Sequence, residues 1–199
     1  MPRPSVEAER RAQILAATCK VIARTGIVAF RVADVAKEAG LSPGIVHYYF
    51  DTKQDLIRAA FERNFLHSLE RRAAIFESGL EPVEKLRALV EAYLPQGDET
   101  VEAWHVWAEL WVTALHDTEL RDLNDRAYGE WRRIIAGIVR ECQAAGRMGG
   151  DTDPVDAANM LAGLLDGLAL QVLVGSHAMT LTRMRATCQA FIDGLVASS

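Results

Sequence analysis

Residues 32–53 read VADVAKEAGLSPGIVHYYFDTK, and this stretch decides the fold of the N-terminal part of the chain. Val32, Val35, Ala36 and Ala39 recur at the i, i+3, i+4, i+7 spacing of one buried helix face, which predicts a helix over about 32–39. Gly40 follows where a helix end calls for a left-handed residue. Ser42 suits the N-cap of a second helix, and Pro43 fits its first turn, where no backbone N–H is missed. Two short helices joined by a glycine-containing turn predict a helix-turn-helix. The second helix of that motif lies in the DNA major groove.

Helical periodicity continues on both sides, and alternating strand patterns are nearly absent. A first helix is expected over about Val6–Thr25, ended by Gly26. Thr52 and Asp55 form a capping-box-like pair opening a long helix to about Phe76. Pro82 to Leu94 reads as a helix closed by Pro95 and Gly97, and Glu99–Leu115 as an aromatic one. Asp117 caps another, to about Ala145. Asp153 and Pro154 open a helix to about Gly175, and a last one covers about Thr182–Ala197. The expected fold is all-α, with about nine helices. The expected domains are a three-helix DNA-binding domain over 1–53 and a larger ligand-binding and dimerisation domain over 54–199.

Half of the 199 residues are hydrophobic and 25% are charged, a globular composition. Residues 1–53 carry 8 Lys and Arg against 5 Asp and Glu, whereas the remainder carries 14 against 22. A basic end on an acidic body puts any nucleic-acid surface near the N-terminus. No apolar run follows the first basic residues, and 160–174 is interrupted by Asp166 and Gln171 and short for a bilayer. A cytoplasmic protein without membrane contact is expected. Cys19, Cys142 and Cys188 are far apart and read as small apolar residues in helix faces, with redox sensing as the minority alternative.

On the second helix of the motif, Gly44 lets the backbone approach DNA, Ile45 suits a thymine methyl and His47 a base acceptor. Tyr48, Tyr49 and Lys53 suit phosphates, Lys53 standing at a helix N-terminus. Val46 and Phe50 are expected in the core. Trp104, Trp107 and Trp111 share one stripe of one helix, which is either ordinary core or the wall of a ligand pocket. Asp166 lies in an otherwise apolar helix, where an unpaired carboxylate is costly. It could cap a helix, pair across a subunit interface or meet a cationic ligand. His105 and Glu109 share a face without completing a metal-ligand set. No catalytic constellation or cofactor motif is present, which favours a regulator over an enzyme.

The stretch resembles the N-terminal domain of the TetR/AcrR transcriptional repressors through Val35, Ala36, Ala39, Gly40, Leu41, Ser42, Gly44, Ile45, Val46, Tyr48, Tyr49, Phe50, Lys53 and Leu56. Arg31 and His47 depart from that pattern: Arg31 replaces the usual capping Thr or Ser and is free to reach a phosphate. The resemblance implies a DNA interface of Arg31, Ser42, Pro43, Gly44, Ile45, His47, Tyr48, Tyr49 and Lys53. The C-terminal half resembles the BetI-type subgroup through Trp107, Trp111, Asp153–Pro154 and the run from Leu164 to Leu168. That resemblance implies a small-molecule effector, cationic or aromatic, in a pocket of Phe65, Tyr93, Trp104, Trp107, Trp111 and Asp166. Bet-type repressors answer choline. The apolar rows Leu161, Leu164, Leu168, Val172 and Leu181, Met184, Cys188, Phe191, Leu195 are expected to join two copies in a homodimer on a palindromic operator. The rival readings are a helical enzyme or metal-binding bundle, and a DNA-binding protein without a sensor.

Overall fold

The computed structural model describes residues 6–197, and among them the chain forms nine α-helices. They are α1 Val6–Ala29, α2 Val32–Ala39, α3 Pro43–Tyr49, α4 Lys53–Phe76, α5 Pro82–Tyr93, α6 Asp98–Ala114, α7 Thr118–Ala144, α8 Pro154–Leu173 and α9 Leu181–Ala197.

Local chemistry sets most of the boundaries. The Ser42 side chain accepts from Ile45 N–H at 3.4 Å. Thr52 Oγ1 accepts from Asp55 N–H at 3.0 Å and donates to the Asp55 carboxylate at 2.7 Å. Asp117 receives Leu120 N–H at 3.0 Å, and Asp153 receives Val155 and Asp156 N–H at 2.7 and 3.1 Å. Each bond satisfies a donor that a helix start leaves without a partner. Arg31, extended at φ −131°, offers α2 no side-chain cap. At the other end of α2, Gly40 turns left-handed, and Leu41 N–H returns to Ala36 O at 2.8 Å.

Two compact units divide the chain. One holds residues up to Ser68 together with Glu102–Asn124; the other holds Leu69–Val101 and the chain from Asp125 onward. This division differs from a boundary at residue 53. The first turns of α4 bury Leu56, Ile57, Ala60 and Phe61 in the same core as Ile14, Val21 and Ile22 of α1 and Val35 of α2, and α6 adds Val106 and Leu110. In the first unit, Asn64 Nδ2 donates to Ala103 O at 3.2 Å and the Cys19 thiol to Ala60 O at 3.5 Å.

The second unit buries Leu86, Leu89 and Val90 of α5, Ile135 and Val139 of α7, Leu161 and Leu165 of α8, and Met184, Cys188 and Ile192 of α9. Leu161, Met184 and Cys188 are thus core residues of a single chain, not surface open to a second copy. Four-residue spacing on α9 carries one inward row, and the chain's own α5 and α8 pack against α9. Leu164, Leu168, Val172, Leu181, Phe191 and Leu195 remain partly exposed. Arg87 bonds to Asp193 and Gln189 at 2.7 and 2.9 Å, and Arg185 to Glu91 and Gln96 at 2.8 and 3.0 Å, fixing α9 against the α5 segment.

All three cysteines are free and buried, and desolvation pushes the Cys19 thiol up to about 12 and Cys142 and Cys188 to about 11. A thiol so hard to ionise is a poor nucleophile. Helices α1 and α8 are long and apolar enough to cross a bilayer by composition alone, yet each buries a face in a unit core.

Gly26, near the end of α1, has φ 68° and ψ 168°, a backbone region that is almost closed to other residues. An added Cβ would stand 3.1 Å from Glu109 Oε1, whose partner oxygen accepts Ile27 N–H at 2.8 Å. Gly26→Ala is therefore expected to lower stability by about 1–3 kcal/mol, read as a drop in thermal midpoint. A midpoint equal to wild type would show that the backbone relaxes there without cost.

Candidate nucleic-acid and effector sites

Helix α3 has seven residues and two sides. Val46, at 1% exposure, and Phe50, just beyond the last turn, enter the core of the first unit. Arg31, Ser42, Pro43, Gly44, Ile45, His47 and Tyr48 face water, and Tyr48 is 79% exposed. Tyr49 is half-buried and packs on the core, with its ring edge-on to Tyr48 at 5.2 Å. A tyrosine left this open gains nothing from the core, whereas its hydroxyl is available to a polar ligand. The residues expected to meet DNA are thus exposed, apart from Tyr49 and Lys53.

Lys53 turns inward. Its Nζ donates to Phe30 O at 2.9 Å and stands 5.4 Å from the Phe30 ring centre. The carbonyl lies just beyond α1, so Lys53 ties the start of α4 to the α1–α2 connection. An ammonium has three donors, and one carbonyl uses one of them.

In the second unit, α5 and α7 bring two aromatic rings together. Tyr93 and Trp131 stack at 4.5 Å with 9° between their planes. The Arg72 guanidinium of α4, only 4% exposed, lies 4.3 Å from the Tyr93 ring centre and 5.3 Å from that of Trp131. Three residues before Trp131, the Tyr128 hydroxyl donates to Asp166 Oδ2 of α8. Asp166 Oδ1 is buried and has no hydrogen-bond partner among the described residues. Burial pushes the Asp166 carboxyl up to about 6, against the lowering effect of the Tyr128 bond. Burial and the Asp166 charge raise both Tyr93 and Tyr128, so both phenols stay neutral. Desolvation lowers Arg72 to about 10.

The six residues expected to line one pocket are distributed over both units. Phe65, Trp104, Trp107 and Trp111 belong to the first, where Trp104 is 3% exposed, 6.1 Å from Trp111 and edge-on to it. Trp107 packs on the core, with its ring 6.5 Å from Phe65. Tyr93 and Asp166 belong to the second, where they stand with Trp131, Tyr128 and Arg72. The i, i+3 pair Tyr128–Trp131 was a readable signal for this group, since that spacing shares a helix face. Arg72 gave none. Glu109 is committed to Ile27 N–H, and His105 and His116 are exposed.

The Asp166 environment has a stability consequence. An aspartate with the ordinary value of 3.8 when unfolded and about 6 when folded binds more protons in the folded state between those values. The contribution of Asp166 to stability should fall as pH rises from about 4 to about 6 and then level off, because Asp166 is ionised in both states above that. Asp166→Asn removes this contribution, so the variant should gain on wild type across the same window in urea unfolding. Parallel pH profiles for the two proteins would mean that the folded carboxyl ionises normally.

Comparison with known proteins gives this geometry a family. Residues 14–60 match the family described as bacterial regulatory proteins, tetR family, and residues 82–197 match that described as BetI-type transcriptional repressor, C-terminal. The HTH-type transcriptional regulator BetI of Stenotrophomonas maltophilia is 32% identical over 195 residues, covering 97% of this chain and 96% of its own length. A transcriptional regulator from Saccharomonospora viridis, crystallised in complex with choline, has a TM-score of 0.87 and 34% identity, covering 93% of this chain and 96% of that one. A TetR-family regulator from Rhodococcus sp. has a TM-score of 0.83 and 30% identity over 94% of this chain and 98% of its own. With one family match spanning the helix-turn-helix and the other running from α5 to α9, the chain belongs to the TetR family of transcriptional repressors and carries a BetI-type C-terminal half.

Proposed function

We propose that this repressor acts as a homodimer, grips a palindromic operator with α3 of each copy, and leaves it when a small cationic effector binds beside Asp166. The observation that carries the effector reading is Asp166 itself. One of its oxygens is held by Tyr128 and the other is buried without a hydrogen-bond partner among the described residues. A bare carboxylate oxygen in an apolar setting is costly unless a cation answers it. The stacked Tyr93 and Trp131 add aromatic surface that favours a cation with methyl groups, where the charge is spread and hydration is weak. The choline held by the 34% identical relative has that chemistry. A quaternary ammonium is therefore the proposed ligand class, and the cytoplasm, where DNA is met, the proposed place of action.

The dimer reading rests on the partly exposed Leu164, Leu168, Val172, Phe191 and Leu195 of α8 and α9, together with Met160 at 50% exposure. A second copy of the same surface would cover them symmetrically. Two recognition helices then have to match half-sites about 34–36 Å apart, or a multiple of that. An effector that binds a differently spaced state more tightly draws the population away from DNA.

Two experiments test these points. An operator selected from random duplexes should saturate at two or four chains per duplex. Tyr48→Ala should weaken binding at every salt concentration and leave the log–log salt slope unchanged, because no charge is lost. Lys53→Ala should shallow the slope by about 1 per subunit if its remaining donors reach a phosphate. A slope equal to wild type would confine Lys53 to its bond with Phe30. For the effector, choline should bind at least about tenfold tighter than its uncharged isostere 3,3-dimethylbutanol, and Asp166→Asn should narrow that gap. Equal affinities for the two compounds would refute a cation site.

A further inference from the structure

The stacked rings already have a cation beside them. Arg72 is carried by α4 and is almost fully buried, and its guanidinium is closer than 5.5 Å to both the Tyr93 and the Trp131 ring centres. A quaternary ammonium approaching the same two rings enters the field of Arg72, and like charges a few ångströms apart in a poorly solvated site repel strongly. The two cations therefore exclude each other.

Resting on the cation-site reading above, we propose that Arg72 is the resident cation of the effector site, and that a cationic effector binds by driving its guanidinium away from the Tyr93–Trp131 stack. Arg72 is then a specificity-determining residue of an unusual kind, because it holds affinity down. It makes the site answer only to a cation that gains more from the rings and Asp166 than the guanidinium does.

The test uses the full-length protein and tetramethylammonium chloride, a probe with no hydroxyl or carboxylate, in isothermal titration. Arg72→Met keeps the apolar stem and removes the competitor, so its affinity for tetramethylammonium should exceed that of wild type by about tenfold or more. Arg72→Lys keeps a charge and should stay within about threefold of wild type. Unchanged or weaker binding by Arg72→Met, with tetramethylammonium still bound by wild type, would overturn the exchange while leaving the cation site intact. Absence of tetramethylammonium binding by both proteins would overturn the cation site and the exchange with it. Should Arg72→Met not fold, the wild-type protein decides by itself. The Arg72 Nε–H signal in a nitrogen-15 spectrum should shift and exchange faster with water at saturating tetramethylammonium. A signal unmoved at saturation would overturn the proposal.

Discussion

A seven-residue helix has no independent stability in water, so α3 depends on what holds it. Val46 and Phe50 supply that hold. Both are buried in the core that contains Ile14, Val35, Leu56 and Phe61, and burying a side chain of this size contributes about 1.5–3 kcal/mol. Two anchors on one side of a short helix fix its rotation as well as its position. Ile45, His47 and Tyr48 are consequently presented outward, and no further interaction is required to aim them. Arg11 closes over Phe50, with its guanidinium 4.7 Å from the ring centre, and Lys53 ties the next helix to the carbonyl of Phe30. The orientation of the exposed face of α3 is thus set from the opposite side of the helix.

Much of this was legible in the sequence because the chemistry is local. Ser42, Thr52 with Asp55, Asp117 and Asp153 cap helices whose first residues lie within three positions of them. Gly40 ends α2 through its own backbone angle. Lys53 shows where local reasoning stops. A lysine stem reaches outward or inward with equal ease, and a carbonyl twenty-three residues away drew it in. The α9 row shows another limit. Spacing puts Met184, Cys188, Phe191 and Leu195 on apolar faces, but does not distinguish a face buried by α5 and α8 of the same chain from one buried by a second copy. Met184 and Cys188 took the first fate, while Phe191 and Leu195 stayed partly open.

The proposed effector site was half visible for a related reason. Asp166 announced itself as a carboxylate in an apolar helix, and its raised pKa follows from that isolation. Its surroundings come from elsewhere: its hydrogen-bond partner Tyr128 lies on α7, thirty-eight residues away, and Tyr93 of α5 stacks on Trp131 of that same α7. Buried charges are poor stabilisers, because desolvation offsets most of what their interactions gain. A chain that keeps both Arg72 and Asp166 inside one helical unit bears a cost that apolar residues of similar size would avoid. Perturbed ionisable groups of this kind concentrate where binding is done.

The first unit carries a second long-range commitment. Glu109 of α6 accepts Ile27 N–H at 2.8 Å, immediately after Gly26 has broken the regular geometry of α1. A charged acceptor on a backbone donor makes one of the stronger bonds available to a protein. It is also directional, so sliding α6 by a fraction of a turn lengthens it steeply. The backbone at Ile27 leads into Phe30, the residue whose carbonyl Lys53 holds, and then into α2 of the helix-turn-helix. Trp104, Trp107 and Trp111 lie on the same α6 as Glu109, so their packing sets the position of the carboxylate. The glycine at position 26 leaves room for that carboxylate, since a Cβ there would stand 3.1 Å from Glu109 Oε1 and press it aside.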